Sequence, residues 1–274
     1  MIVMTNLLFS DIDGTLIRSD GTISDHVRRL LQKIAEKGHG LILTSGRPLP
    51  SMQKVHDYIG IDFPYSYLIA NNGGLIYDCN KQDAIFEATL SFEIIDQLQN
   101  IAEDMQFHIQ TYTENSIVCR RETEEVKCYA SRIKMPILLS DRLTGALTVQ
   151  PYKMLALSLR GSEALMPLKH RIERDYGDRL TLMFSQDGYL EILPISASKG
   201  NALRFLCHHL SIPVEHSYAA GDSENDIAML RAAGVSYAMQ NSDETVKSSA
   251  AFVTALDHEH DGIAEVLERI LASS

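Results

Sequence analysis

Two aspartates with a single residue between them, Asp11 and Asp13, close an apolar run that begins at Leu7 and is followed by Gly14, Thr15 and Leu16. In an extended backbone, residues i and i+2 point to the same side, so both carboxylates face one way. Carboxylates held this close repel each other unless a cation lies between them or one keeps its proton. Leu7 to Ser10 contains no Pro and reads as a buried strand. Gly14 permits the backbone angles of a tight loop after it. Two accounts of the stretch are open at this point: an Asp-Gly turn that ends a strand, or an acidic tip that does chemistry.

A second acidic loop, Gly221-Asp222-Ser223-Glu224-Asn225-Asp226, follows the apolar run from Ser217 to Ala220. If both loops end strands of one parallel sheet, they share an edge. An oxygen-rich set there suits Mg2+, which takes about six oxygen ligands, some from water and substrate phosphate. Singly, Asp222 and Asp226 are also explained as an N-cap and a first-turn carboxylate favoured by a helix dipole. That account leaves the shared edge with Asp11 and Asp13 unexplained. Lys199 stands at a helix start, where the macrodipole disfavours a cation. A compact ammonium there suits pairing with Asp11 and holding a phosphate oxygen; a solvated lysine is the plain alternative. Ser45 and Gly46, before another helix, offer a hydroxyl and backbone N–H groups to an anion, or form an ordinary turn. Arg47 is either a ligand contact or a surface residue.

Positioning these tips takes strands that end at one edge. Leu41 to Leu43 is a second buried strand, running into Thr44-Ser45-Gly46-Arg47-Pro48, and Tyr67 to Ala70 is a third, running into Asn71-Asn72-Gly73-Gly74. Between the first two, Ser24 caps a helix with Val27, Leu30, Leu31 and Ile34 at helical spacing. Strand and helix alternating in this way predict a doubly wound, mostly parallel α/β core, Rossmann-like, with right-handed crossovers and ligands at the carboxyl ends of the strands. Asp20-Gly21 predicts a small hairpin flap beside the aspartates.

The rhythm changes after residue 84. Helices are predicted from Phe92 to Met105, Glu124 to Arg132 and Ser162 to Tyr176, with Pro167 marking the last one's first turn. Strands are predicted from His108 to Thr113, Ser116 to Arg120 and Met154 to Arg160, with a hairpin around Asp187-Gly188. The stretches around Pro136 and Pro151 receive no element. This mixture predicts an inserted α+β domain over 85–191, the catalytic core being 1–84 and 192–274. The alternating pattern returns with a helix from Lys199 to Leu210, strands at Ser217 to Ala220, Val235 to Met239 and Phe252 to Thr254, and helices near Glu244 to Ser249 and Ile263 to Leu271.

The 274 residues, 45% hydrophobic and 22% charged, suffice for a sizeable core. A formal net charge of −11 argues against non-specific nucleic-acid binding, which needs a basic face. It leaves anionic substrates open, because a metal ion and a lysine can invert the field inside one cleft. Cys79, Cys119, Cys128 and Cys207 form no CxxC pair and read as reduced thiols of a cytoplasmic protein. No apolar run is long enough for a membrane span, and no signal peptide is expected, since the first apolar stretch already holds Asp11. Adjacent His208 and His209 read as structural. Asp257-His258-Glu259-His260 has metal-ligating residue types but reads as a solvated loop.

Four of these stretches together resemble the haloacid dehalogenase superfamily of phosphohydrolases: Asp11-Ile12-Asp13-Gly14-Thr15-Leu16, Ser45-Gly46-Arg47, Lys199-Gly200, and Gly221 to Asp226, in the family's order and across the whole chain. Asn72-Gly73-Gly74, the insert, and Tyr237-Ala238-Met239-Gln240-Asn241 further resemble its Cof-type branch with a C2B cap. Ser196 departs from that branch, which usually has glycine there. The resemblance implies a Mg2+-dependent phosphatase of a small phosphorylated metabolite; charge and hydropathy add the expectation of no nucleic-acid or membrane partner. By it, Asp11 is the nucleophile and Asp13 the general acid and base. Asp11, Asp222 and the backbone carbonyl of Asp13 hold Mg2+, and Asp226 orients them. Ser45, Gly46, Lys199 and Asn225 bind the phosphoryl oxygens, and Arg47, Asn72 and Asn241 lie toward the substrate. Sugar phosphates lead the substrate classes, with pyridoxal phosphate and flavin mononucleotide as alternatives. A phosphomutase, a receiver-type phosphoacceptor and a silent sugar-phosphate binder are the rival readings.

Overall fold

The computed structural model describes residues 5–273. Contacts divide them into two compact units, one built from the chain up to Glu87 and from Ala197 onward, the other from Ala88–Ser196.

The first unit opens with β1 (Leu7–Asp11), α1 (Asp25–Glu36), β2 (Gly40–Thr44), α2 (Leu49–Ile59), β3 (Ser66–Ala70), β4 (Leu75–Asp78) and β5 (Asp83–Glu87). Residues of both parities along β1, from Leu7 to Asp11, are buried, as a strand covered on both faces requires. Ser24 caps α1, its hydroxyl accepting from the Val27 N–H, and Val27, Leu30, Leu31 and Ile34 form the buried stripe.

The chain then enters the second unit: α3 (Phe92–Asp104), β6 (His108–Tyr112), β7 (Ile117–Cys119), α4 (Glu124–Ile133), β8 (Ile137–Leu139), β9 (Met154–Leu157), α5 (Met166–Tyr176), β10 (Leu180–Gln186) and β11 (Tyr189–Pro194). Its sheet runs β10-β11-β9-β6-β7-β8, antiparallel except for β7 and β8. A parallel pair needs a crossover, and α4 supplies it. Ile95 and Leu98 of α3 and Leu168 and Ile172 of α5 pack with Met154, Leu190 and Ile192, while Tyr129 and Ala130 of α4 pack with Ile117, Cys119 and Leu155.

Back in the first unit come α6 (Lys199–His209), β12 (Ser217–Gly221), α7 (Ile227–Ala232), β13 (Val235–Ala238), α8 (Glu244–Lys247), β14 (Phe252–Val253) and α9 (Ile263–Ala272). The sheet order is β14-β13-β12-β1-β2-β3-β4-β5. It is parallel from β14 to β3, and β4 and β5 return antiparallel. The architecture is a Rossmann-like core carrying an inserted α+β domain. Strands β1 and β12, distant in sequence, are neighbours at the centre, so their carboxyl ends lie side by side. Leu7, Phe9, Ile42 and Ile69 pack there against Leu203 and Leu206 of α6 and Met229 of α7. Burying each such large side chain contributes roughly 1.5–3 kcal/mol.

Several expectations need correcting. The divisions fall at 87/88 and 196/197 rather than 84/85 and 191/192. Ile85 to Glu87 stay with the core because β5 pairs with β4, and Ile192 to Pro194 stay with the insert because β11 pairs with β10. The stretch around Asp20-Gly21 is a turn closed by the Arg18 N–H on Thr22 O and the Gly21 N–H on Arg18 O, and no two-stranded hairpin forms. Strand β8 went unread because its three residues form a partly exposed edge just after Pro136. Ser196 is not among the residues with positive φ, so the departure from glycine there demands no left-handed backbone. No described helix is long and apolar enough to cross a membrane.

Candidate active site

The carboxyl ends of β1, β2, β3 and β12 carry the residues singled out above. Asp11 is the last residue of β1, and Ser45 follows the last residue of β2. Asn71 and Asn72 follow β3, and Asp222 follows β12. Lys199 opens α6 one residue after its cap, Ser198, whose hydroxyl accepts from the Asn201 N–H.

Lys199 is the hub. It is 1% exposed, and its Nζ donates to Asp11 Oδ1 at 2.5 Å and to Asp226 Oδ1 at 2.6 Å. The other Asp226 oxygen, Oδ2, accepts the backbone N–H groups of Asp222 and Ser223 at 3.0 and 3.1 Å. Asp226 therefore ties the second acidic loop to the lysine. Asp222 Oδ1 accepts from the Thr15 hydroxyl at 3.2 Å, joining that loop to the first one. Carboxylate oxygens of Asp11, Asp222 and Asp226 lie within 4.8 Å of one another.

Charge explains what this cluster wants. Burial pushes the Asp11 carboxyl well above the ordinary carboxylate range; Lys199 opposes the rise, and Asp226 and Asp222 add to it. Burial and then Asp226 push Asp222 up to about 6. Burial works against the charge on Lys199, but Asp11 and Asp226 outweigh it and hold the ammonium. Three carboxylates against one ammonium leave two negative charges uncompensated when all ionise. A hard divalent cation among oxygen donors answers that excess, and the residues present fit one.

Asp13 stands apart from this group. Its side chain is 56% exposed and takes the fork of Arg47, with Nε at 2.8 Å from Oδ2 and Nη2 at 2.5 Å from Oδ1. Arg47 is thus neither a bare surface residue nor a free ligand contact. The Ser45 hydroxyl accepts the Arg47 N–H at 3.1 Å, shaping the turn that holds both. Asn225 Nδ2 donates to Asn72 Oδ1 at 3.0 Å. Asn241 is engaged with main chain at both ends: Nδ2 donates to Gly14 O at 3.0 Å, and Oδ1 accepts the His258 N–H at 3.2 Å.

The run from Asp257 to His260 is more than a solvated loop. Its His258 Nε2 is 3.3 Å from the Ser19 hydroxyl, and Glu259 Oε1 accepts the Ser19 N–H at 2.9 Å. Arg18 pairs with Asp261 at 2.9 Å. The segment that follows Asp13 is held from this side. Nothing in the linear order signals it, because the partners are some 240 positions apart.

Gly14 adopts φ +76°, and a Cβ built on it would lie 2.5 Å from Asp222 Oδ2. A side chain there meets both a backbone penalty and a clash with the Asp222 carboxylate of the acidic cluster. Gly14→Ala is expected to raise the Mg2+ concentration for half-maximal activation by about tenfold, equivalent to ~1.4 kcal/mol, while the chain stays folded. Mg2+ titration of activity beside a thermal melt checks this.

Residues 8–267 match the sequence pattern of the haloacid dehalogenase-like hydrolases, and the chain belongs to that family. Among curated relatives, the Bacillus subtilis phosphatase YwpJ is 28% identical over 292 residues, covering 97% of this chain and 99% of its own. A solved haloacid dehalogenase-like hydrolase from Bacteroides thetaiotaomicron is 29% identical with a TM-score of 0.81, covering 97% of this chain and 99% of that one. A solved sugar phosphatase of subclass IIB shares the fold at 21% identity and a TM-score of 0.77, over 97% and 98% of the two chains. The protein is a phosphatase of this hydrolase family, which sets aside the phosphoacceptor and silent-binder readings.

Proposed function

We propose that this chain is a Mg2+-dependent phosphomonoesterase of the cytoplasm acting on a small phosphorylated metabolite, with sugar phosphates as the leading class. The observation that carries the reading is the buried Lys199 bridging Asp11 and Asp226 beside Asp222, at adjacent strand ends. Four unpaired cysteines accord with a reducing compartment.

The chemistry follows from what each side chain has left to offer. Lys199 occupies Oδ1 of Asp11, which leaves Oδ2 to attack phosphorus and form an aspartyl phosphate as the bond to the leaving oxygen breaks. Asp13, exposed and off the metal cluster, gives its proton to the departing alcohol. It then takes one from the water that attacks the acyl phosphate, which regenerates Asp11 and releases inorganic phosphate. Ser45, the N–H of Gly46, Lys199 and Asn225 bind the phosphoryl oxygens. Asp11, Asp222 and the Asp13 carbonyl would hold Mg2+ with Asp226 orienting them, and the ion supplies positive charge to the equatorial oxygens, as phosphoryl transfer requires.

The test is phosphate release from a panel of hexose phosphates, pyridoxal phosphate and flavin mononucleotide, with Mg2+ and with a chelator. Release is expected to fall to background on chelation and to return with added Mg2+. Release that ignores the chelator sinks the metal assignment. Return of phosphate to a second hydroxyl of the sugar, in place of free phosphate, would make the enzyme a mutase.

A further inference from the structure

The turn after β3 is strained and buried at once. Asn71 and Asn72 are consecutive non-glycine residues with φ of +51° and +56°, and Gly73 follows at +95°. Asparagine tolerates the left-handed region better than most residues, yet two in succession are uncommon. Such strain persists only where the surroundings over-determine it. Here three loops do so. The Asn72 N–H donates to Ser45 O, and the Asn71 N–H to Arg47 O, both at 3.0 Å. A Cβ on Gly73 would lie 2.3 Å from the carbonyl oxygen of Ser198, the residue before Lys199. The Asn72 amide packs over Gly46, where a Cβ would come within 3.1 Å of Asn72 Oδ1. Asn72 is 1% exposed.

The fourth contact is the informative one. Asn225 Nδ2 donates to Asn72 Oδ1, whereas Asn225 Oδ1 is buried and has no hydrogen-bond partner among the described residues. The aim of the Asn225 amide thus rests on that single bond. An amide nitrogen carries two hydrogens. With one fixed on Asn72, the direction of the other is set.

We propose that Asn72 is a positioning residue: its Oδ1 fixes the Asn225 amide so that the second N–H of Nδ2 is directed at the phosphoryl group. The inference rests on the reading of Asn225 as a phosphoryl contact. It gives Asn72 a task other than touching the substrate, and it explains why a strained turn is kept beside Ser45 and Lys199.

The experiment is a double-mutant cycle over Asn72→Gly and Asn225→Ala, read by calorimetric affinity for inorganic phosphate with Mg2+ present and by kcat and KM on p-nitrophenyl phosphate. Glycine removes the amide but accepts the left-handed backbone, so the fold should hold, and a thermal melt checks that. Each single variant is expected to weaken phosphate binding about tenfold, the scale of a hydrogen bond to a charged group. The double variant should bind no more weakly than Asn225→Ala alone. If Asn225→Ala weakens binding and Asn72→Gly does not, the role of Asn72 is overturned while Asn225 keeps its own. Losses that multiply in the double variant overturn it as well, since the two side chains then act independently. Unchanged affinity in Asn225→Ala removes Asn225 from the phosphoryl set and the proposal with it.

Discussion

Replacing Asp11 by asparagine is expected to lower phosphate release by about four orders of magnitude or more, the scale on which losing a covalent nucleophile acts. The substitution is nearly isosteric, and an amide oxygen can still accept from Lys199 Nζ, which sits 2.5 Å from Oδ1. What disappears is the anionic oxygen that, in the proposed mechanism, attacks phosphorus. Stability should not fall, because the change removes one of three mutually repelling acids from a buried cluster. Chromatography, a thermal melt and phosphate release on the same preparation separate the two effects. Asp13→Asn is the natural partner experiment. It should cost about a hundred- to a thousandfold, as losing a general acid and base does, again without unfolding, since its side chain is 56% exposed. Wild-type turnover in Asp11→Asn would end the assignment of the nucleophile.

Much of this site was legible in the sequence because its parts are local. An apolar strand followed by Asp11, Asp13 and Gly14 announces a tip, and the strand rhythm puts tips at one sheet edge. The pairing of Lys199 with Asp11 was also readable, since a cation at a helix start needs a reason. Its second bond, to Asp226, was not, because nothing in the linear spacing says that the helix of one motif packs beside the loop of another. The engagement of Arg47 with Asp13 escaped for the same cause: a guanidinium near a loop points wherever a partner lies, and that partner is 34 residues away. The hairpins and helix periods of the insert read as α+β, yet neither β4 nor β5 is legible as a strand, and the predicted boundary at residue 84 cuts through β5. They are separated by a polar turn, and β5 has only intermediate or exposed residues, so periodicity gave no inward face.

Lys199 links stability to chemistry, and Lys199→Met separates them. Methionine keeps the length of the side chain and most of its volume, so the change removes charge rather than packing. Asp11 and Asp226 would then face each other, both buried, with no counter-charge, and stranding a buried ion pair in this way costs about 3–5 kcal/mol. Turnover should drop about a hundred- to a thousandfold, because the positive charge that the proposed mechanism aims at the equatorial oxygens is lost. The size of the metal's effect should change with it. With the ammonium gone, all three carboxylates are left to the cation, so Mg2+ should raise the melting temperature of the variant more than that of the wild type. Adding Asp226→Asn to Lys199→Met should recover part of the stability and none of the activity, since it relieves repulsion without restoring a donor to phosphate. A Lys199→Met protein that melts like wild type with and without Mg2+ would mean that the buried acids are not ionised together. The charge argument for a divalent ion at these strand ends would then fail.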